Sequence, residues 1–399
     1  PLLVLLVCCA SLSSYADPWT RHTIDASSQG ADGARLGDVN GDGLLDIVTP
    51  WEEGGAIRVA FHPGVAQVTE PWPSVEIGRV GQPEDAVFID LDGDGQLDVV
   101  SACEGDTRSI YVHWAPDDPA ALTKPEAWRT EVLPASQDKM QFMFSVGMDV
   151  NRDGRMDLVS GGKNDGAQLG WFEAPKNPRD LSAWVWHEIT PLGWLMSLQV
   201  VPSFRDETKS ALVVSDRRGM TRGVYRLEPV ISGHLGRNVV SWQKFYFGGQ
   251  AHEVMFMDYK RGAMTERSFA TFAWAVSGGD VIIRPCACKN SETINLPMPP
   301  DSGSGKAVAL GDIDGDGDED VVVTCEHAEG KTGVFYYAHP EMSQTTDPSA
   351  WEFHDIGGIT GTKFDRIELI DLDQDGDLDV ITCEERENLG VIWYENPSR

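Results

Sequence analysis

The stretch DVNGDGLLD, residues 38–46, decides the reading of this chain. Asp, Asn and Gly fill most of it, and it recurs as DLDGDGQLD (90–98), DVNRDGRMD (149–157), DIDGDGDED (312–320) and DLDQDGDLD (371–379). Every copy has a side-chain oxygen at positions 1, 3, 5 and 9 and a Gly at position 6. Solvated turns favour the same residue types, but they do not demand fixed oxygens and a fixed Gly in each copy. Alternate oxygens around a sharp Gly turn suit a hard divalent cation, and calcium takes about six to eight of them. The position-12 Glu of an EF-hand is missing, so Asp at position 9 and the carbonyl of position 7 are expected to complete the shell. The expected ligands are Asp38, Asn40, Asp42, Leu44 and Asp46; Asp90, Asp92, Asp94, Gln96 and Asp98; and Asp149, Asn151, Asp153, Arg155 and Asp157. The last two loops supply Asp312, Asp314, Asp316, Asp318 and Asp320, and Asp371, Asp373, Asp375, Asp377 and Asp379. The expectation is about five Ca²⁺ sites.

The chain has 399 residues and a formal net charge of −31, which excludes nucleic acid and an anionic membrane surface as partners. Residues 1–17, PLLVLLVCCASLSSYAD, read as the end of a secretory leader, with cleavage expected after Ala16. Its apolar run is too short to span a bilayer, and no other transmembrane candidate is present. Residues 1–16 are therefore assigned to an incomplete signal peptide and 17–399 to one domain, with a secreted, periplasmic or extracellular location expected. Past the leader, Cys103, Cys286, Cys288, Cys325 and Cys383 remain. An odd count without paired spacing argues against a disulfide framework, and buried small apolar residues are expected instead.

Around each loop the pattern repeats. A short apolar strand precedes it and another follows, as in AVFI (86–89) and DIVT (46–49). Then comes a strand ending in Pro, such as SIYVHWAP (109–116), and a strand opened by Trp, such as WVWHEI (184–189). Four β-strands in a unit of about fifty-five residues read as one propeller blade. The interval from Asp149 to Asp312 is three units long, so two blades without a working loop are expected there, around Pro202 and around Asp258. The count is seven blades. WTRHTI (19–24) has the signature of a fourth strand with no blade before it, and the unit at 371–397 lacks a fourth strand. The N-terminal strand is expected to close the last blade and remove an open sheet edge. The fold class is all-β.

The repeated D-x-[DN]-x-D-G-x-x-D followed by an apolar strand resembles the FG-GAP/VCBS repeat family. The resemblance implies a calcium-loaded propeller over the whole mature chain. It does not fix function, because propellers of this kind include integrin headpieces, secreted bacterial proteins, polysaccharide lyases and a sugar dehydratase. The chain departs from the integrin pattern, in which a transmembrane segment follows.

Loops opposite the acidic ones carry the remaining unusual residues. Asp32, Glu84, Asp85, His252, Glu253, Lys306, Asp365 and Arg366 precede inner strands, and Trp194 lies in the same connections with Trp51 and Phe142. Equivalent positions in a ring converge on one axis, so these residues are expected to ring the channel mouth. His252 is the leading candidate for acid–base work, its ordinary pKa being near neutrality, with Glu84, Asp85 or Asp365 as carboxylate partners. Asp32, Lys306, Arg366, Trp194 and Glu253 are candidate ligand-binding residues. His22, His187 and His354, each at a W-x-x-H position, read as structural. The leading expectation is a monomeric binding module for polysaccharide or a surface protein. The alternatives are a carbohydrate lyase or dehydratase, and a purely structural module.

Overall fold

The computed structural model describes residues 18–203, 206–234, 237–261, 270–285, 293–341 and 343–397. The leader and Cys286 and Cys288 lie outside these residues. Seven four-stranded antiparallel sheets follow one another along the chain. Blade 1 is built from 35–37, 46–51, 56–60 and 74–79, and blade 2 from 83–89, 98–103, 110–114 and 129–132. Blade 3 comprises 141–148, 157–163, 168–173 and 185–191. Blade 4 comprises 195–202, 210–216, 223–234 and 237–248, and blade 5 254–261, 270–276, 281–285 and 294–296. Blade 6 runs 304–311, 320–326, 334–338 and 352–355. Blade 7 takes three strands, 368–370, 379–384 and 390–395, from the C-terminal end and its fourth, 20–25, from the N-terminal end. In that closure Thr20 pairs with Glu395 and Thr23 with Ile392, and Ile24 is fully buried beside Trp393.

The repeated punctuation has a physical cause in the five blades that carry an acidic loop. The position-9 Asp opens the second strand and is buried: Asp46, Asp98, Asp157, Asp320 and Asp379 are at most 1% exposed. One of its oxygens accepts the backbone N–H of position 2, as Val150 N–H does on Asp157 at 2.9 Å. The other accepts the N–H of the residue just before the strand-ending Pro: His62, Ala115, Ala174, His339 and Asn396, at 2.8–2.9 Å. The carboxylate thus ties the loop to the far end of the third strand, and the Pro beyond it cannot continue the ladder. The Trp before the fourth strand acts similarly. Trp72, Trp128, Trp184 and Trp351 are buried, and each indole N–H donates to a carbonyl four to six residues back, pinning the connection between third and fourth strands.

Blades pack through inner strands that approach closely. A Cβ on Gly37 would stand 2.6 Å from the Phe88 ring of the next blade, and one on Gly311 would stand 2.8 Å from Leu369. His22, His187 and His354 are half-buried; they stack on Trp393, Trp171 and Tyr336 at 4.6–4.7 Å, which is a packing role. Cys103, Cys325 and Cys383 are buried free thiols.

Two details differ from expectation. Asp258 is no remnant of a loop: strand 254–261 runs through it, and its carboxylate accepts the Gln199 amide at 3.2 Å and the Leu310 N–H at 2.9 Å, joining blades 4 and 6. Trp51 and Phe142 are fully buried in the cores of their blades, because each side chain points between sheets and not to the axis.

Candidate functional site

The five acidic loops share one backbone. Position 6 has φ of 85–103° at Gly43, Gly95, Gly154, Gly317 and Gly376, a left-handed conformation that Gly adopts without strain. Position 4 is also left-handed, at Gly41, Gly93, Arg152, Gly315 and Gln374. Two such residues in three fold the chain back, so N–H groups of positions 5 to 7 reach side-chain oxygens of positions 1, 3 and 5. Gly43 N–H donates to Asp38 at 3.0 Å, and Asp42 N–H to Asn40 at 2.9 Å. Carboxylates are thereby gathered rather than splayed. Asp90, Asp92 and Asp94, then Asp312, Asp314 and Asp316, and then Asp371, Asp373 and Asp379 bring one oxygen each within 4.8 Å of one another. The Oδ1 atoms of Asp312 and Asp371, both at position 1, are shielded from solvent and accept no hydrogen bond. A donor set of hard carboxylate and amide oxygens with spare lone pairs fits a hard divalent cation. At position 9, both oxygens already hold backbone N–H groups, so that residue is a structural staple whether or not it also coordinates.

The opposite face holds a cavity of about 520 Å³ to which all seven blades contribute. Blade 1 supplies Asp32, Glu52 and Glu53, blade 2 Glu84 and Glu104, and blade 3 Met143 and Lys163. Blade 4 gives Trp194, Met196 and Arg217, blade 5 Met255 and Phe256, and blade 6 Lys306, Glu326 and His327. Thr362, Lys363, Asp365, Glu385 and Arg386 come from blade 7. Of the residues expected at the mouth, Asp32, Glu84, Trp194, Lys306 and Asp365 line it. Asp85 is buried beneath, holding Arg35 at 3.0 Å and the Ser145 N–H at 3.1 Å. Arg366 lines a second, lower cavity of about 340 Å³, its guanidinium 5.6–5.7 Å from the Phe144 and Phe256 rings. His252 is exposed and stands outside the lining. Glu253 pairs with Arg217 and Arg218, whose guanidinium groups lie 4.7–4.9 Å over the Trp194 ring.

Most cations of the mouth already have anions. Lys163 pairs with Glu84 and Glu104, Lys306 with Asp365, and Lys363 with Glu385. Burial and the neighbouring charges of Glu84 and Asp365 push the Asp32 carboxyl well above its ordinary range. Burial would raise Asp365 too, but Lys306 and a hydrogen bond from Asp32 bring it down to about 2. Burial and its acidic neighbours thus push the Asp32 carboxyl up while Lys306 holds Asp365 down, so the two neighbouring carboxyls are driven apart. Glu52 is also raised, by burial and then by Glu84, Glu385 and Glu53. Glu52, Glu53 and Glu385 bring oxygens within 4.8 Å of one another, and so do Asp32, Asp365 and Glu385.

Residues 38–101, from the first acidic loop through the second, match the model of the FG-GAP-like repeat. No curated protein matches the chain by sequence. Among solved structures 226 chains match, so the shape is shared widely and does not choose a function. One is a crystal structure of BBS1N in complex with ARL6DN, soaked with mercury. It is 10% identical, with a TM-score of 0.53 over 96% of this chain and 98% of that one, a likeness of fold alone.

Not every blade keeps the acidic loop. In blade 4 the described part of the connection is a turn in which Asp206 accepts the Thr208 N–H at 3.2 Å and pairs with Lys209 at 2.7 Å. The corresponding loop of blade 5 lies outside the described residues. Sequence reasoning missed Met143, Met196, Met255 and Phe256 at the mouth. Apolar residues in strands read as core, and only the ring geometry turns these toward the axis. No helix among the described residues is long and apolar enough to cross a membrane.

Proposed function

We infer that the protein is a binding module whose ligand seats in the mouth opposite the acidic loops. The observation that carries this is the convergence of side chains from all seven blades, most of them polar and two of them aromatic, Trp194 and Phe256, on a single concave site. The ligand is a polar molecule, a carbohydrate or a group on a surface protein, that carries positive charge. Lys163, Lys306 and Lys363 are neutralised from within, whereas Glu52 and Glu53 face the cavity outside any ion pair among the described residues, Lys363 acting on Glu52 only at longer range. An amino sugar meets these terms, since its ammonium suits the glutamates and its apolar ring carbons the aromatic and Met side chains of the lining. A uronate does not.

The acidic loops support a calcium role on the other face, with positions 1, 3 and 5 as ligands and the position-7 carbonyl beside them. That role is structural: a cation there relieves repulsion among gathered carboxylates. The apolar leader supports export, where calcium is plentiful.

A second reading is an enzyme of lyase or dehydratase type. What favours it is the buried group of Asp32, Asp365 and Glu385, whose oxygens lie within 4.8 Å of one another beside Lys306, with the Asp32 carboxyl pushed up and Asp365 held down, a split suited to proton transfer. One experiment separates the readings. Glucosamine and galacturonate are titrated separately while tryptophan fluorescence and ultraviolet absorbance of unsaturated products are followed. Saturable binding of glucosamine, lost in Trp194→Ala and in the Glu52→Gln/Glu53→Gln double variant, supports the module. Turnover abolished by Asp32→Asn supports the enzyme. Binding that survives the Trp194 and glutamate substitutions places the site elsewhere.

A further inference from the structure

The acidic loops are not equivalent, and the difference lies in one arginine. Arg179 belongs to blade 3, in the connection between strands 168–173 and 185–191, yet its side chain reaches the loop of blade 2. Its Nε pairs with Asp92 and its Nη2 donates to Asp94 at 3.3 Å, with Asp117 at 4.0 Å. The guanidinium lies 4.9 Å over the Trp114 ring. Asp92 and Asp94 are positions 3 and 5, two of the oxygens any metal in that loop must use. The Asp92 carboxylate is only 7% exposed beneath its partner.

Among the described residues the other four loops lack this arrangement. In blade 3, Arg155 comes from the loop itself and pairs with Asp153 alone of the acidic positions. In blade 6, Lys260 of blade 5 reaches Glu319 at 3.7 Å, and His339 lies 3.8 Å from Asp318, leaving Asp312, Asp314 and Asp316 without a base. Among the described residues no ion pair to a base involves the loop acids of blades 1 or 7.

We propose that Arg179 is the resident cation of the blade 2 loop, competing with calcium for Asp92 and Asp94, so that this loop takes its metal last. The inference rests on the calcium reading given above. Its physical basis is charge balance: a planar guanidinium satisfies two carboxylates and stacks on an aromatic face, so these acids are stable together without a metal. Calcium entering the loop displaces the guanidinium and releases the tie between blades 2 and 3. By linkage, whatever Arg179 contributes in the metal-free state is subtracted from calcium affinity there.

The test counts calcium. The full chain is stripped of metal and titrated with calcium, with occupancy read by native mass spectrometry and isothermal calorimetry, for wild type, Arg179→Ala and Arg179→Gln. Far-ultraviolet circular dichroism checks that each is folded; the half-exposed Arg179 side chain makes unfolding avoidable. The expected result is a weakest class of site in the wild type that tightens about tenfold in both variants, an ordinary size for coupling between sites. Adding Asp92→Asn to Arg179→Ala should abolish that class. Identical calcium isotherms for wild type and both variants, or weaker binding in the variants, overturn the proposal while leaving the calcium reading intact. No calcium bound to any form overturns both.

Discussion

His113 shows how a single residue couples this fold to acidity. It is fully buried in blade 2, in space that Gly78 leaves open: a Cβ there would stand 2.4 Å from the imidazole. Ser101 and Thr130 hydroxyls satisfy both ring nitrogens at 2.9 Å. No carboxylate pairs with it, and burial lowers its pKa from 6.5 to about 3. The unfolded chain therefore binds a proton that the folded one refuses between those values. Stability from this group is complete above pH 6.5 and is lost as pH falls toward 3, at up to about 1.4 kcal/mol per pH unit. Urea midpoints measured from pH 7 to 4 should fall more steeply for wild type than for His113→Gln. Parallel slopes would show that this histidine takes up its proton equally in the folded and unfolded states. Asp98 and its counterparts make a different point about legibility. Their place in the motif is plain in the sequence, but their grip on the residue before each Pro is not, because it spans 16–19 residues.

At the scale of elements, the strand at 20–25 carries the most leverage. It adds one antiparallel edge, pairing across strand 390–395, places Ile24 in the core beside Trp393 of blade 7 and sets Trp19 against Tyr336 of blade 6. Deleting residues 17–25 bares the edge of 390–395 and the apolar faces beside it. The expected outcome is aggregation, or a drop in melting temperature large enough to read without fitting. A monomeric truncated protein melting with the parent would mean that blade 7 closes without this strand. Strand identity is legible here because Pro and Trp punctuate each unit and the loops fix its phase. Strand length is not: hairpin 223–248 has two twelve-residue strands, while the inner strands of blades 1 and 7 have three residues each. Nothing local in the sequence separates a pleated residue from one that merely bridges, as Ala31 does to Trp51.

For the whole molecule, the proposed roles fall on opposite faces. A cation held by the gathered carboxylates of one face would stabilise the folded state by mass action. Chelation should lower the melting temperature, with calcium restoring it better than magnesium, which holds its waters and demands an octahedral shell. A melting temperature unmoved in protein shown by elemental analysis to be metal-free would remove the structural role. The ring and its mouth are legible from repeat spacing alone, since equivalent positions must converge. The charge of the mouth is not, because neutralisation of Lys163 by Glu84 and Glu104 joins residues about 60 to 80 apart from neighbouring blades.

The shared seventh blade also sets a clock during synthesis. Thr23 leaves the ribosome long before Ile392, its partner about 370 residues downstream. At about 5–20 residues per second, the early strand waits roughly 20 to 70 seconds for its mate. Blades 1 to 6 can each complete within their own stretch of chain as it emerges. The nascent protein is thus a lengthening open arc with one sticky end, and holding that end apart from other nascent arcs is a task for the cell rather than for the fold.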